Sequence, residues 1–329
     1  MTRLRSFAPF LVVILGFANG SLMAQTSPGP YKPAFPILLS EVAPAPTGTI
    51  RSGHPAIADL GLTPGHKSLV FGTAGHYVYV VNYDGTVAPG FPVTVPSEVT
   101  MSPAVGDLDG DGQPEIVVGY GSTFEGPTAP GGVRVLRRNG TVLWTKPAFD
   151  FNEDGVPEAV VSSPTIGDLD GDGAPEACWG GVDGRVHVVN GATGAYKPGW
   201  PIFVRDSILS SPALHDIDGD GRLDVVVGVD AHLEGPPYNT PDGGCLHVYR
   251  YDGSEVPGFP RCIDQVFYSS PAVGDINGDG RPEIVIGTGT FYPNRTHAVY
   301  AFTCTGEQAP GWPVAVDGEV VTSPALGDL

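Results

Sequence analysis

Four segments of the chain place oxygen-bearing side chains at fixed spacings in tight loops. Each has an acidic or amide residue at positions 1, 3, 5 and 9 and glycine at positions 4 and 6. Side chains two residues apart on an extended chain point to opposite faces, so the glycines must bend the backbone before the oxygens can converge. Converging carboxylates need a cation, and Ca²⁺ takes about six to eight oxygen ligands. The predicted metal ligands, including the backbone carbonyl of position 7, are Asp107, Asp109, Asp111, Gln113 and Glu115; Asp168, Asp170, Asp172, Ala174 and Glu176; Asp216, Asp218, Asp220, Arg222 and Asp224; and Asp275, Asn277, Asp279, Arg281 and Glu283.

Other interpretations of the loops fit less well. An EF-hand begins with the same Asp-x-Asp-x-Asp-Gly pattern, but it needs a bidentate Glu at position 12 and flanking helices. Position 12 lies here in apolar, strand-like runs and is Val118, Trp179, Val227 or Ile286. Magnesium prefers a stricter octahedron with retained water. A plain Asp-Gly turn remains the alternative, and four copies with the same ligand positions favour about four calcium sites.

The loops belong to a repeat of about 50 residues. Their first aspartates recur at intervals of 48 to 61 residues when a degenerate copy at Asp59 and a broken copy at Asp328 are included. A Gly-aromatic-Pro triplet places its aromatic residue 16 residues before four of these aspartates, at Phe91, Trp200, Phe259 and Trp312. A repeat of this length that contains several strands is typical of a propeller blade.

Each repeat contains four predicted strands. One ends at the acidic loop, as in 103–106, and one follows it, as in 116–119. A third precedes an Asp-Gly hairpin such as Asp84-Gly85. The fourth carries the Gly-aromatic-Pro triplet, whose proline suits an edge strand. With 47 glycines and 34 prolines, the chain is predicted to be an all-β propeller of four-stranded blades, with about five blades and the start of a sixth.

The repeat unit from Ser102 to Gly119 resembles the FG-GAP or VCBS repeat, which is found in the integrin α-subunit propeller and in many bacterial secreted proteins. The resemblance covers about residues 52–329. It implies a propeller, commonly of about seven blades, with calcium in loops on one face, and it carries the family's metal ligands onto the loop positions named above. The first unit has Gly61, Thr63 and Lys67 at positions 3, 5 and 9, so no ion is expected there.

Three regions are predicted along the chain. Arg3 and Arg5 precede an apolar stretch that is too short to span a bilayer, so residues 1–24 are a secretory signal peptide. Residues 25–51 form an N-terminal segment in which 32–39 could be a ring-closing strand. Residues 52–329 form the propeller, which breaks off inside a loop at Asp328. Missing C-terminal blades are therefore expected to complete the ring.

A second acidic segment interrupts the repeat. Asp150, Asn152, Asp154 and Glu158 match the ligand spacing, yet Asp150 lies only 18 residues before Asp168. This segment therefore cannot head a blade of its own. It is either a fifth calcium site or an acidic surface loop, and the spacing favours the loop.

The cysteines fit an oxidising compartment. Cys245 and Cys262 flank the Asp252-Gly253 hairpin almost symmetrically, which predicts a cross-strand disulfide. Cys178 and Cys304 lie in different units and are either free and buried or paired with residues outside this chain.

The net charge and the motifs limit the classes of function that the chain could have. The net charge is −19 and no basic patch is visible, so nucleic acid is not expected as a partner. No catalytic motif was found. The expected function is a secreted calcium-binding adhesion or ligand-binding scaffold, in the periplasm, at the cell surface or outside the cell, with a carbohydrate or protein ligand. The alternative is an extracellular polysaccharide lyase, or another propeller enzyme, with its site in the central channel.

Overall fold

The fold is known here from a computed structural model that describes residues 53–121, 128–231, 242–289, 291–292, 295, 297–320 and 322–327. Within these ranges every regular element is a β-strand, and the strands form five four-stranded antiparallel sheets. In each sheet the strands follow one another in chain order. The all-β propeller prediction is therefore confirmed. The blades are β1 (Ala56–Ala58), β2 (Ser68–Gly72), β3 (Tyr77–Val81) and β4 (Val93–Thr94); β5 (Ala104–Gly106), β6 (Glu115–Tyr120), β7 (Gly132–Arg137) and β8 (Val142–Pro147); β9 (Thr165–Gly167), β10 (Glu176–Gly180), β11 (Arg185–Asn190) and β12 (Ile202–Phe203); β13 (Ala213–His215), β14 (Asp224–Ala231), β15 (Gly243–Tyr249) and β16 (Arg261–Ile263); and β17 (Ala272–Gly274), β18 (Glu283–Gly287), β19 (Ala298–Thr303) and β20 (Val314–Ala315).

Blades pack face to face through their second and third strands. All six residues of β6 are buried. Because side chains alternate along a strand, Ile116 and Val118 join the core shared with the first blade, whereas Val117 joins the core shared with the third. A strand covered on both faces needs a continuous apolar run rather than an alternating one. This explains the Ile-Val-Val and Val-Val-Val runs that follow the acidic loops.

The first strand of each blade lies next to the first strand of the neighbouring blade. A chain of hydrogen bonds joins these strands through the serine that opens each repeat. The amide of Ser102 donates to Ser163 Oγ at 3.2 Å, and that of Ser163 donates to Ser211 Oγ at 2.9 Å. Ser211 donates in the same way to Ser270, also at 2.9 Å. The repeated serine therefore links one blade to the next.

The Gly-aromatic-Pro triplet does not lie in the fourth strand, as the sequence suggested, but directly before it. In the first blade β4 begins at Val93, after Pro92. The glycine of each triplet has a positive φ, and in the first, third and fourth blades it contacts the hairpin turn of the next blade. A Cβ on Gly90 would lie 2.0 Å from the carbonyl oxygen of Asn139, and a Cβ on Gly199 would lie 2.0 Å from that of Asp252. In these three blades the triplet is thus an inter-blade contact, and only glycine fits it.

The predicted disulfide between Cys245 and Cys262 is confirmed; it joins opposed residues of β15 and β16. Cys178 is buried and Cys304 is half-buried, and both are free thiols. Burial raises the pKa of the Cys178 thiol.

Three sequence predictions lie outside the described residues. They are the signal peptide over 1–24, the segment 25–51 and the broken loop at Asp328. Among the residues that are described, no helix is long and apolar enough to cross a membrane.

Candidate metal sites

The four acidic loops connect the first and second strands of blades two to five, and each is named here by its first aspartate. In every case position 1 directly follows the first strand, and position 9 is the first residue of the second strand. The two strand ends are paired; Gly106, for example, lies opposite Glu115. The sheet thereby holds both ends of the loop together before any ion is bound.

Hydrogen bonds inside each loop fix its shape, as the Asp107 loop illustrates. Asp107 accepts from the amides of Gly110 and Gly112, both at 2.9 Å. Glu115 Oε2 accepts from the Leu108 amide at 2.9 Å. Gly110 and Gly112 have φ values of 73° and 80°, a region that side-chain-bearing residues rarely adopt. The same bonds recur in the other three loops.

Three of the loops bring carboxylate oxygens together. In each, ligand atoms from positions 1, 3 and 9 lie within 4.8 Å of one another. Position 5 is not part of these clusters; its carboxylate instead accepts from the amide of position 7, as Asp111 does from Gln113 at 2.7 Å. The clustered residues are Asp107, Asp109 and Glu115; Asp168, Asp170 and Glu176; and Asp216, Asp218 and Asp224.

The Asp275 loop is arranged differently because position 3 is an amide. Asn277 Nδ2 donates to Glu283 Oε1 at 2.8 Å and to Asp279 Oδ2 at 3.2 Å. Its Oδ1 accepts from the Asp279 amide at 2.8 Å. Asn277 thus contacts the carboxylates of positions 5 and 9 through its amide hydrogens, whereas position 3 of the other loops is a carboxylate that clusters with positions 1 and 9.

The position 9 carboxylates are buried, with no more than 1% of Glu115, Glu176, Asp224 and Glu283 exposed. Burial penalises the charged form and raises the pKa of Glu115. Burial, together with the nearby carboxylates of Asp218 and Asp220, raises the pKa of Asp224 to about 6. A buried carboxylate of this kind gains most from a cation that replaces its lost hydration.

Calcium binding to the Asp216 loop should therefore weaken in mild acid. A carboxyl whose folded pKa is raised binds protons more tightly in the folded state, so without calcium its contribution to stability is greatest below the unfolded pKa of about 4 and falls as pH rises through about 6. Calcium needs the charged form and competes with that proton. We expect affinity at this loop to fall about tenfold per pH unit below pH 6.

Calorimetry at pH 5 and pH 7.5, in buffers of different ionisation enthalpy, would measure both the affinity and the protons released. Asp224→Asn removes both the titrating group and a proposed ligand, so it should abolish binding at this loop and the proton release that goes with it. Equal affinity and no proton release at the two pH values would contradict the expectation.

Sequence reasoning missed the basic side chains that contact the loops. Arg137 Nη2 lies 2.9 Å from Asp109, Lys197 Nζ lies 2.7 Å from Asp170, and Arg250 Nε lies 2.7 Å from Asp218. The pKa of Lys197 is raised: burial alone would lower it, but hydrogen bonds to Asp170 and Glu176 outweigh that effect. The only sequence signal for these contacts is the position of the two arginines just before a hairpin, with Arg137 as the last residue of β7 and Arg250 directly after β15.

The degenerate first loop, whose first aspartate is Asp59, also has a cationic neighbour. Arg138 donates to the carbonyls of Leu60 and Gly61 at 3.2 and 3.3 Å. Asp59 accepts from the Gly61 amide at 2.9 Å, as expected for a turn. This loop belongs to none of the carboxylate clusters found in the described residues.

Residues 150–158 form a loop at the opposite end of the blade, after β8. Its backbone resembles the four acidic loops: Asp150 accepts from the Gly155 amide at 2.8 Å and Asp154 accepts from that of Val156 at 2.9 Å. Burial raises the pKa of Glu158, and Asp154, Asp150 and Asp183 add to the effect. No cluster found in the described residues includes this segment. Whether it is a fifth calcium site or an acidic loop therefore stays a prediction.

Comparisons with known proteins agree with the repeat. Residues 168–227 match the FG-GAP-like repeat, and residues 99–136 and 267–302 match the FG-GAP repeat. These segments contain all four acidic loops. No curated protein sequence matched the chain.

Solved structures share the propeller fold. The V. cholerae biofilm matrix protein Bap1 is similar with a TM-score of 0.57 and 17% identity, over 81% of this chain and 40% of that one. The C-terminal domain of Pseudomonas aeruginosa PilY1 is similar with a TM-score of 0.53 and 14% identity, over 78% of this chain and 71% of that one. The chain thus spans about two fifths of the length of Bap1. The chain thus contains segments that match FG-GAP repeats, and its described residues form five propeller blades, which is consistent with an FG-GAP repeat family.

Proposed function

We propose that this chain is a secreted, calcium-stabilised propeller that acts as an adhesion or ligand-binding scaffold. The observation that carries the proposal is the convergence of three carboxylates within 4.8 Å in each of three loops. One carboxylate in each cluster is buried at the start of a strand. Oxygen donors at this density suit a hard divalent cation such as Ca²⁺. The donor set therefore fits the ion that the repeat family implies.

The proposed ligands are the loop residues predicted from the sequence. Positions 1, 3 and 9 would supply the carboxylate oxygens of the clusters. Position 5 would contribute Oδ2, because its Oδ1 accepts a hydrogen bond from the amide of position 7. Position 7 would add a backbone carbonyl. In the Asp275 loop Asn277 would have to present Oδ1 instead of its amide hydrogens, so this loop needs more rearrangement than the others.

The role of the ions would be to stiffen the scaffold. Each ion would tie the end of a first strand to the start of a second strand at one end of a blade. The opposite end carries the 150–158 loop and exposes Phe149, Phe151 and Phe291. We place the carbohydrate or protein ligand there, since exposed aromatic rings are frequent in binding surfaces. The disulfide supports an extracytoplasmic location.

Calcium calorimetry on chelator-stripped protein tests the metal part of this proposal. We expect about four sites, fewer by one in Asp107→Asn. Asp59→Asn is the matched control, because Asp59 heads a loop outside the clusters, and it should leave the number of sites unchanged. Absence of calcium binding in a folded sample would overturn the calcium proposal.

The ligand part is tested by binding to a panel of polysaccharides, followed by the absorbance of unsaturated products. Binding that weakens when Phe149 and Phe151 are replaced by serine, with no product formed, would support a carbohydrate scaffold. Product formation would contradict a purely binding role. If no polysaccharide binds, a carbohydrate ligand is contradicted. A protein ligand would then be sought in a partner screen.

A further inference from the structure

The basic side chains that meet the acidic loops do not meet them equally. Lys197 Nζ lies 2.7 Å from Asp170 Oδ2, 2.9 Å from Glu176 Oε1 and 3.6 Å from Asp172 Oδ2. Its ammonium group therefore contacts positions 3, 5 and 9 of the Asp168 loop together. It sits among the oxygens that would bind an ion.

Within the described residues, Arg137 and Arg250 contact the outer carboxylates of their loops and not the buried position 9 carboxylate. Arg137 contacts Asp109 at 2.9 Å and Asp111 at 3.7 Å, and Arg250 contacts Asp218. Neither forms an ion pair with the buried position 9 carboxylate of its loop in the part of the chain that is described. In the Asp107 and Asp216 loops that carboxylate remains open to a cation from solvent.

Lys197 differs in type from the residues at the equivalent position of the other blades. It stands three residues before Trp200 of the Gly-aromatic-Pro triplet, where the other three blades that have this triplet carry Ala88, Val256 and Ala309. All three of those residues are buried, and their amides make the same backbone bond that the Lys197 amide makes to the Val188 carbonyl. A lysine therefore stands where the other three have a small apolar residue with the same backbone hydrogen bond, although its hairpin is one residue longer.

We propose that Lys197 is a built-in competitor of calcium at the Asp168 loop, so that this loop fills only at higher calcium than the Asp107 and Asp216 loops. The inference rests on the proposed function, because it presumes that the loops bind calcium. Two cations cannot share oxygens this close together, since their repulsion in a partly buried site is strong. Calcium must therefore displace the ammonium group, whose flexible stem allows it to swing away.

In the calcium-free protein the contact between Lys197 and Glu176 is stabilising. Lys197 neutralises the buried Glu176 carboxylate, which would otherwise be a costly unpaired charge. The lysine thus stabilises the calcium-free fold and opposes calcium binding. A side chain with a purely structural role would stabilise the protein equally with and without calcium.

The test variant is Lys197→Val, which installs the residue that Val256 provides in the fourth blade. Lys67→Met is the matched control, because Lys67 is exposed on the degenerate loop and its loss changes the net charge by the same amount. In calcium calorimetry the wild type should show a site, in addition to that of the Asp275 loop, at least tenfold weaker than the sites of the Asp107 and Asp216 loops. In Lys197→Val that site should tighten at least tenfold, while the calcium-free melting temperature falls. Lys67→Met should change neither quantity.

A second background assigns the effect to the Asp168 loop. In the Asp168→Asn variant the Asp168 loop should no longer bind calcium. Adding Lys197→Val to that variant should therefore leave the calcium affinity of the remaining sites unchanged. If Lys197→Val folds poorly, Lys197→Gln removes the charge and keeps a hydrogen-bond donor for Glu176. If a folded Lys197→Val or Lys197→Gln variant fills all its sites with the same calcium affinities as the wild type, the proposed role of Lys197 is wrong, while the proposed function stands. Absence of calcium binding in every variant would overturn the proposed function as well.

Discussion

Chelator-stripped protein should melt on the order of 20 °C below protein saturated with calcium. A ligand that binds only the folded state at about 100 times its dissociation constant adds about 2.7 kcal/mol per site, so three or four sites add about 8 to 11 kcal/mol. For a domain of this size each kcal/mol raises the melting temperature by roughly 2 to 4 °C. The measurement is a thermal melt followed by circular dichroism, with calcium or with chelator.

The controls for this melt separate calcium from general charge screening. Sodium chloride at the same ionic strength should restore little of the stability, and magnesium should restore less than calcium. Asp107→Asn should lose part of the calcium-dependent rise, whereas Asp59→Asn should keep all of it. A calcium effect below about 3 °C in the wild-type protein would show that the acidic loops are turns held by their own hydrogen bonds.

Replacing Gly199 by alanine should destabilise the protein by about 3 to 5 kcal/mol. Gly199 has a φ of 88°, and a Cβ there would lie 2.0 Å from the carbonyl oxygen of Asp252 in the next blade. The backbone strain contributes about 1 to 2 kcal/mol and the displaced hairpin roughly as much again or more. Urea unfolding gives the free energy of unfolding.

Gly311→Ala is the matched control for Gly199→Ala. Gly311 has the same φ of 88°, and a Cβ there would meet no atom of the described chain within 4 Å. This variant should therefore show only the strain, about 1 to 2 kcal/mol. Equal losses in the two variants would mean that the triplet glycine is needed for its backbone conformation and not for the contact between blades.

The acidic loops and the strands around them were predictable because each depends on residues close in sequence. The Asp107 loop closes through hydrogen bonds that span two to seven residues. The apolar run from Ile116 to Val118 predicts a strand by itself, and the symmetry of Cys245 and Cys262 about one hairpin predicts their disulfide. Four repeats of one local pattern also predict the blades, since each blade is a single continuous stretch of chain.

Contacts between distant residues were decided only by the tertiary structure. Lys197 is at least 21 residues from the carboxylates it meets, and it reaches them because the third blade folds back along its own sheet. The contact of Gly199 with the Asp252 turn, and the bond from the Ser102 amide to Ser163, depend on how one blade lies against the next. The periodicity of the sequence specifies the alternation within a blade. Pairing of the strands within a blade determines which cation reaches which acidic loop, and packing between blades determines which positions must be glycine.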